Sequence, residues 1–382
     1  MQWLKNRFRQ LRAAEWVLFV VGGLLFLWCT PVASLVCNAG TVLGMGLGLF
    51  LMLFALFFRP LWRRTASKRA LRAALIVFCA VCLLFTSVAA AKKLIRSFKP
   101  DIVIGTGGYV SWPVLKAASS MRIPTCIHEQ NAVPGVTTKA LSKTVNKVMI
   151  SFEESREAFD CPEKLVFVGN PVSGKMLEAS KDNSRKILGI DKDEKVLLSC
   201  GGSLGARPLN EKVYELIRDY SLKTDITHFH ATGKAGWEVQ SALYKELGFK
   251  ENGEDELKLG KVTVRKYIYN MPQLLSASDA VICRAGAMTL SELAVMGKAS
   301  VIIPSPYVTN NHQYKNAKVL CDKGAAVMIE EKDLTSDALI KAVSHELDDK
   351  EYRTGMENTV REFAVTDTLD RIYSIVKELV KK

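Results

Sequence analysis

The stretch Asp279–Tyr314, DAVICRAGAMTLSELAVMGKASVIIPSPYVTNNHQY, decides how the rest of the chain is read. It opens on a short apolar run, Ala280 to Cys283, of the kind that forms a buried strand. A polar turn follows at Arg284-Ala285-Gly286-Ala287. Helical spacing then runs from Met288 to Met296 and stops at Gly297. A second apolar run, Ser300 to Ile303, ends at Pro304 and Pro306. Strand, glycine turn, helix, strand is a βαβ unit, and its ligand site belongs where the strands end and the helix begins. That helix start offers free N–H groups and the positive end of the helix dipole, both suited to phosphate. Glu292 falls about one turn in, where a carboxylate can accept hydrogen bonds from two vicinal hydroxyls such as those of a ribose. Gln313, just inside the next helix, adds an amide. The stretch reads either as a nucleotide site or as a capped βαβ unit whose Glu292 is merely solvated.

Charge is distributed unevenly around this unit. The chain has 382 residues and a net charge of +13. Fourteen of the 52 basic residues but one of the 39 acidic ones, Glu15, precede residue 100, so the remainder is balanced at 38 of each. The basic quarter is also the most apolar. That pairing indicates a membrane anchor with cationic flanks rather than a nucleic-acid binder. Nine cysteines are scattered without a disulfide framework, which fits a reducing, cytosolic setting. Five histidines, poorly clustered, argue against a protein-built metal site.

Three hydrophobic runs occupy the start: about Trp16 to Val36, Val42 to Phe58 and Ala73 to Ala91. Each approaches the ~20 residues a spanning helix needs. A basic loop from Arg59 to Arg72 separates the second from the third, and Lys92, Lys93, Arg96 and Lys99 follow the third. Both basic segments favour the cytoplasmic side, so two runs make a hairpin. The third then either lies along the membrane interface, packs as the first helix of the globular part, or spans. From Lys99 on, strands alternate with helices on both sides of a break at Gly169-Asn170-Pro171, which argues for parallel sheets in two similar lobes. A polar linker is expected from that break to about Ser184, and a helical tail from Tyr352 to Lys382, packed back on the earlier lobe. Residues 1–90 are thus assigned to the anchor, 91–171 to a first, partial lobe, 172–360 to a second lobe and 361–382 to a terminal helix.

Two glycine loops, Gly105-Thr106-Gly107-Gly108 and Gly201-Gly202-Ser203-Leu204-Gly205, each follow a strand and precede a helix. Glycine there permits close backbone approach to a ligand. Neither is a Walker loop, since no Gly-Lys-Ser/Thr follows, and neither has full GxGxxG spacing. His128-Glu129-Gln130-Asn131 sets four polar side chains at the end of a strand, which suits either a site or a hydrogen-bonded turn.

These strings together, PDIVIGTGGYVSWP (100–113), IHEQNAVPG (127–135), VGNPV (168–172), GGSLGA (201–206), YIYNMPQLLSASDAVICRAGAMTLSEL (267–293) and HQYKNA (312–317), resemble the MurG glycosyltransferase family of peptidoglycan synthesis. The resemblance runs from about Ala89 to the C-terminus. It implies a GT-B fold, two Rossmann-type lobes, here with a truncated first lobe behind two or three membrane helices. It implies an inverting, metal-independent transfer of N-acetylglucosamine from UDP-N-acetylglucosamine to undecaprenyl-pyrophosphoryl-muramoyl-pentapeptide, lipid I becoming lipid II. Partners would be those two substrates and membrane lipid, with no nucleic acid and no cofactor, on the cytoplasmic side of a bacterial cell membrane.

Carried over by motif, Ser203 would contact the donor's pyrophosphate and the Ile268 backbone the uracil. Ala287, Met288, Thr289, Leu290, Ser291 and Glu292 would form the helix start under the phosphates, with Glu292 on the ribose. Gln313 would face the donor sugar, Asn131 the reaction centre, and Gly107 and Gly108 the acceptor side. His128 and Glu129 are the polar candidates for the base. Two features of the family pattern are missing: an opening GGTGGH loop, and an arginine after Gly-Asn-Pro-Val, where this chain has Ser173. A non-catalytic UDP-sugar-binding scaffold, an inactive fusion, or a GT-B enzyme with another lipid acceptor are the competing readings.

Overall fold

A computed structural model describes residues 86–381, which fall into two compact units meeting in sequence at Thr125 and Cys126. The first two apolar runs and the basic loop after them lie outside the described residues. The end of the third run and the basic segment behind it form one helix, α1 (86–98). Val88, Ala91 and Ile95 make a stripe at helical spacing. That stripe packs on Ala117 and Ala118 of α2 (Gly108–Ser120), while Leu94 and Phe98 remain exposed. Strand β1 (Val103–Gly105) enters α2 through the first glycine loop, where Gly107 and Gly108 take φ of 86° and 72°.

The second unit opens inside β2 (Thr125–Glu129), from Cys126 on, and continues with α3 (Val136–Ser142), β3 (Lys147–Ile150) and β4 (Leu165–Phe167). β2 pairs with β3, and β3 with β4, all parallel. The expected linker is instead two short helices, α4 (Gly174–Glu178) and α5 (Lys181–Leu188). α5 is tied down because Arg185, buried, donates to Asp279 Oδ2 at 2.7 Å and to the Ala277 carbonyl at 3.1 Å. A polar composition thus concealed an anchored helix.

The large sheet follows: β5 (Lys195–Cys200), α6 (Arg207–Leu216), β6 (Ile226–Ala231), α7 (Trp237–Glu246), β7 (Lys250–Glu251), β8 (Glu256–Leu259), β9 (Val262–Arg265), α8 (Met271–Ala277), β10 (Ala280–Cys283), α9 (Ala287–Met296), β11 (Ala299–Ile302), α10 (His312–Cys321) and β12 (Val327–Met328). Its order is β12-β11-β10-β5-β6-β9-β8-β7. All pairs are parallel except β8 with its neighbours β7 and β9, a hairpin not foreseen from sequence. Side chains alternate between two cores, as the period of a strand dictates. Val196, Leu198, Val281 and Cys283 pack towards α8 and α9; Leu197, Ala280, Ile282 and Val301 pack towards α6 and the next helix, α11 (Ser336–Asp348).

The tail is two helices, not one: α12 (Lys350–Arg361) and α13 (Thr368–Val380). α13 does return to the earlier strands. Thr368 Oγ1 donates to the Asn170 carbonyl at 3.3 Å and Arg371 Nη1 to the Phe167 carbonyl at 3.4 Å.

One buried acid makes the fold sensitive to pH. Glu346 on α11 is fully buried, and among the described residues neither carboxylate oxygen has a hydrogen-bond partner. Burial pushes its carboxyl up to about 8, with Arg353 pulling slightly the other way. The folded chain therefore holds a proton that the unfolded chain releases above the ordinary carboxylate range. Glu346's contribution is full below that range and is lost as pH rises through about 8. Glu346→Gln, which cannot ionise, is expected to raise stability near pH 8 by on the order of 2 kcal/mol and to change it little near pH 4. Denaturant midpoints at the two pH values check this.

Candidate functional site

The site forms where β5, β10 and the segment after β9 end beside the start of α9. A cavity of about 390 Å³ opens there, bounded by Gly201, Gly202 and Ser203, by Tyr267, Ile268 and Met271, by Arg284, Gly286, Thr289 and Glu292, and by Gln313.

The start of α9 leaves backbone amides open beside this cavity. Its first intrahelical bond runs from Leu290 N to the Gly286 carbonyl at 3.0 Å, and no side chain caps it. The amides of Ala287, Met288 and Thr289 thus have no intrahelical acceptor. Helical periodicity sorts the predicted run by face. Gly286, Thr289 and Glu292 line the cavity. Ala287 and Leu290 are buried in the core, and Met288 is exposed. Ser291 turns away to donate to the Ala287 carbonyl and to accept from Asn170 Nδ2 at 3.0 Å.

Glu292 is half-buried and makes no hydrogen bond or ion pair among the described residues. Burial raises its pKa above the usual carboxylate value. A partly desolvated carboxylate without a donor is costly to hold, and a ligand that brings hydroxyls would relieve that cost. Gln313 is oriented by its oxygen, which accepts from Ser305 N at 2.9 Å. Its amide N–H₂ is thereby left to the cavity. Ile268 is buried, and among the described residues neither its N–H nor its carbonyl has a backbone partner. That leaves one donor and one acceptor side by side, as a pyrimidine edge requires. Arg284, also lining the cavity, is held by the Ile303 carbonyl at 3.1 Å and by Glu331.

Ser203 sits exposed on a loop that Gly205 N closes onto the Gly202 carbonyl at 3.0 Å. The neighbouring loop clasps it, Lys234 N donating to the Ser203 carbonyl and Ala235 N to that of Leu204, each at 3.2 Å.

The HEQN segment is a tightly bonded loop. Glu129 Oε1 accepts from Asn131 N and Nδ2 at 3.1 and 3.2 Å, and Oε2 accepts from Gly135 N at 3.0 Å. His128, buried, has Nε2 at 3.0 Å from the Gly169 carbonyl and 2.9 Å from Ser151 Oγ. Burial lowers its pKa, against the opposing pull of that carbonyl and of Glu129. Both base candidates are therefore fully engaged in holding the loop. Asn131 has both side-chain ends bonded, to Glu129 and to Asn316, and does not line the cavity. Sequence reasoning singled out neither Asn316 nor Asn170, although both lie inside the strings it quoted, HQYKNA and VGNPV.

A parallel α/β sheet that presents a free helix start, a lone acid and an open backbone edge in one cavity suits a nucleotide sugar, and the class it points to is the glycosyltransferases that use such donors. The C-terminal domain model of glycosyltransferase family 28 matches residues 196–372, and the N-terminal domain model of the same family matches residues 63–150. A relative from Acetivibrio thermocellus, named UDP-N-acetylglucosamine–N-acetylmuramyl-(pentapeptide) pyrophosphoryl-undecaprenol N-acetylglucosamine transferase, is 44% identical over 298 residues, 78% of this chain and 78% of its own length. This chain belongs to the MurG family of N-acetylglucosaminyltransferases.

Solved structures agree with that membership. The crystal structure of Acinetobacter baumannii MurG superposes with a TM-score of 0.61 and 28% identity, covering 77% of this chain and 80% of that one. A UDP-GlcNAc 2-epimerase from Neisseria meningitidis, bound to UDP-GlcNAc, has a TM-score of 0.55 at 14% identity over 78% of this chain and 81% of its own, a likeness of fold. The N-terminal family match begins at residue 63, inside the segment assigned above to the anchor. Among the described residues, no helix is long and apolar enough to cross a membrane.

Proposed function

We propose that this chain transfers N-acetylglucosamine from UDP-N-acetylglucosamine to undecaprenyl-pyrophosphoryl-muramoyl-pentapeptide, the step that completes the lipid-linked disaccharide of peptidoglycan. The observation that carries the reading is Glu292, a half-buried carboxylate without a donor, one turn inside an uncapped helix start. It takes the ribose hydroxyls. The Ile268 backbone pairs with the uracil edge, and the amides of Ala287, Met288 and Thr289 receive the diphosphate. Gln313 donates to a hydroxyl of the sugar.

In the transfer, the acceptor hydroxyl attacks the anomeric carbon and the bond from that carbon to the diphosphate oxygen breaks. UDP leaves with the electron pair, and the hydroxyl proton passes to a base. Charge grows on the departing diphosphate, and the helix start is already oriented to stabilise it. His128 and Glu129 reach the proton only by giving up their present partners, so the base is left unassigned.

The acceptor is a lipid, and α1 suits contact with one. Exposed Leu94 and Phe98 stand among Lys92, Lys93, Arg96 and Lys99, an apolar and cationic combination that favours anionic lipid surfaces. With a cytosolic donor, the site works on the cytoplasmic face of the membrane. Calorimetry with UDP-N-acetylglucosamine, followed by a radiolabelled transfer assay to a lipid I analogue, tests the reading. Binding with product formation is expected. Absence of donor binding by the folded protein defeats it, and donor binding without product supports a UDP-sugar-binding scaffold instead.

A further inference from the structure

Two buried amides outside the donor cavity join the HEQN loop to the two ends of the phosphate-binding segment. Asn316, on α10, is fully buried. Its Oδ1 accepts from Ala132 N at 2.9 Å, and its Nδ2 donates to Asn131 Oδ1 at 3.0 Å and to the Ala285 carbonyl at 3.3 Å. Ala285 immediately precedes Gly286 of the cavity wall. Asn170, also buried, accepts from Ser151 Oγ at 2.9 Å and donates to the Gln130 carbonyl at 3.2 Å and to Ser291 Oγ at 3.0 Å. Ser291 immediately precedes Glu292 and turns to the other side of α9. Gln130, Asn131 and Ala132 are thus gripped at three consecutive positions by groups far along the chain. The other ends of those two grips hold the turn before α9 and its second turn. Neither amide lines the cavity.

We propose that Asn316 and Asn170 are positioning residues for the transfer: paired amide clamps that fix the HEQN loop against the donor-phosphate helix without touching the donor. A planar amide bonded at both ends allows little sliding, because each donor and acceptor would be left unpaired in a buried site. An error of about 1 Å between two reacting groups costs on the order of 100-fold in rate. The clamps therefore act on the rate of attack by the acceptor rather than on donor affinity. This inference rests on the reading of the cavity as a UDP-sugar site.

Ser291→Ala removes one anchor of the Asn170 clamp and leaves the cavity lining intact. It is expected to lower kcat/KM for the lipid acceptor about tenfold, while the calorimetric Kd for UDP-N-acetylglucosamine stays within about twofold. Ser291→Thr, which keeps a hydroxyl, restores most of the loss. Asn316→Ala releases the other clamp and is expected to cost about 100-fold in acceptor kcat/KM with the same spared donor affinity. A merely structural role would lower the unfolding temperature and leave these ratios alone. Turnover unchanged in both variants, or donor affinity falling in step with turnover, overturns the proposal. Should Asn316→Ala fail to fold, the Ser291 pair decides alone. Wild-type protein that binds no donor defeats the functional reading itself, whereas donor binding with indifferent variants defeats only the clamps.

Discussion

Glu292→Ala is expected to weaken UDP-N-acetylglucosamine binding by about 30- to 150-fold, on the order of 2–3 kcal/mol, through loss of two hydrogen bonds to a charged acceptor. The loss falls short of the full value for two bonds to a charged group because Glu292 is half-buried and part of its solvation survives in the free protein. Glu292→Gln, with one acceptor oxygen and no charge, should fall between the two. The pH response has a definite sign. Burial raises the Glu292 pKa in the free protein. Protonation removes its role as a two-hydroxyl acceptor, so donor affinity declines as pH falls through that raised value. Ribose hydroxyls stabilise the carboxylate, so binding draws the pKa down and releases a proton in that pH range. In Glu292→Gln this part of the pH dependence should vanish. Calorimetry of wild type and both variants across about pH 4.5 to 8 checks the affinity order and the proton release together. An unchanged Kd in Glu292→Ala would remove the ribose assignment and with it the main support for the functional reading.

How far this site could be read from sequence depended on which periodicity dominated locally. Asp279–Tyr314 was legible because a four-residue buried strand, a glycine turn and a helix ended by Gly297 follow one another without ambiguity. The structure gives strand Ala280–Cys283 and helix Ala287–Met296 in those places. Within that helix the resemblance supplied six consecutive residues, Ala287 to Glu292. A helix can turn only about every third residue to one side, and the cavity sees Thr289 and Glu292. Motif matching reads a string; packing selects a face.

The segment from Val172 to Ser184 failed for the opposite reason. Its Lys, Asp and Ser content suggests solvent. What holds α5 is Asp279, 94 residues from Arg185, and no local pattern announces such a partner. The β7–β8 hairpin escaped because its strands are two and four residues long and largely polar, below the length at which alternation is visible. The tail read as one helix since no proline or glycine interrupts 361–367. It breaks there as Thr368 and Arg371 of α13 reach the carbonyls of Asn170 and Phe167. His128 and Glu129 looked like free polar groups at a strand end, but the Gly169 carbonyl and the Ser151 hydroxyl consume the first, and the amides of Asn131 and Gly135, two and six residues on, consume the second. For α5, for the tail and for His128 the deciding partner lies far away in sequence.

Gly205→Ala is expected to destabilise the second unit by on the order of 3–5 kcal/mol and to abolish measurable donor binding. Gly205 has φ +85°, and a Cβ built there would lie 2.0 Å from the Thr232 carbonyl oxygen and 3.2 Å from Gly233 Cα. Both obstacles are backbone, so no rotamer change relieves them. Gly233 is in the reciprocal position, its own Cβ direction pointing 2.0 Å from Gly205 N. The loops after β5 and β6 therefore meet glycine to glycine, and the hydrogen bonds from Lys234 and Ala235 to Ser203 and Leu204 depend on that approach. Pushing the loops apart breaks those bonds and moves Gly201, Gly202 and Ser203, which form one wall of the cavity. Gly202→Ala separates the steric cost from the conformational one. Gly202 has φ +93° with nothing within 4 Å of a Cβ, so alanine there carries backbone strain alone, on the order of 1–2 kcal/mol. Denaturant midpoints for the two variants, with the calorimetric Kd of each, make the comparison. Equal midpoints would mean that the left-handed backbone, and not the close approach of the two loops, is what glycine provides at position 205. A normal donor affinity in Gly205→Ala would show that the wall formed by Ser203 is not needed to hold the nucleotide.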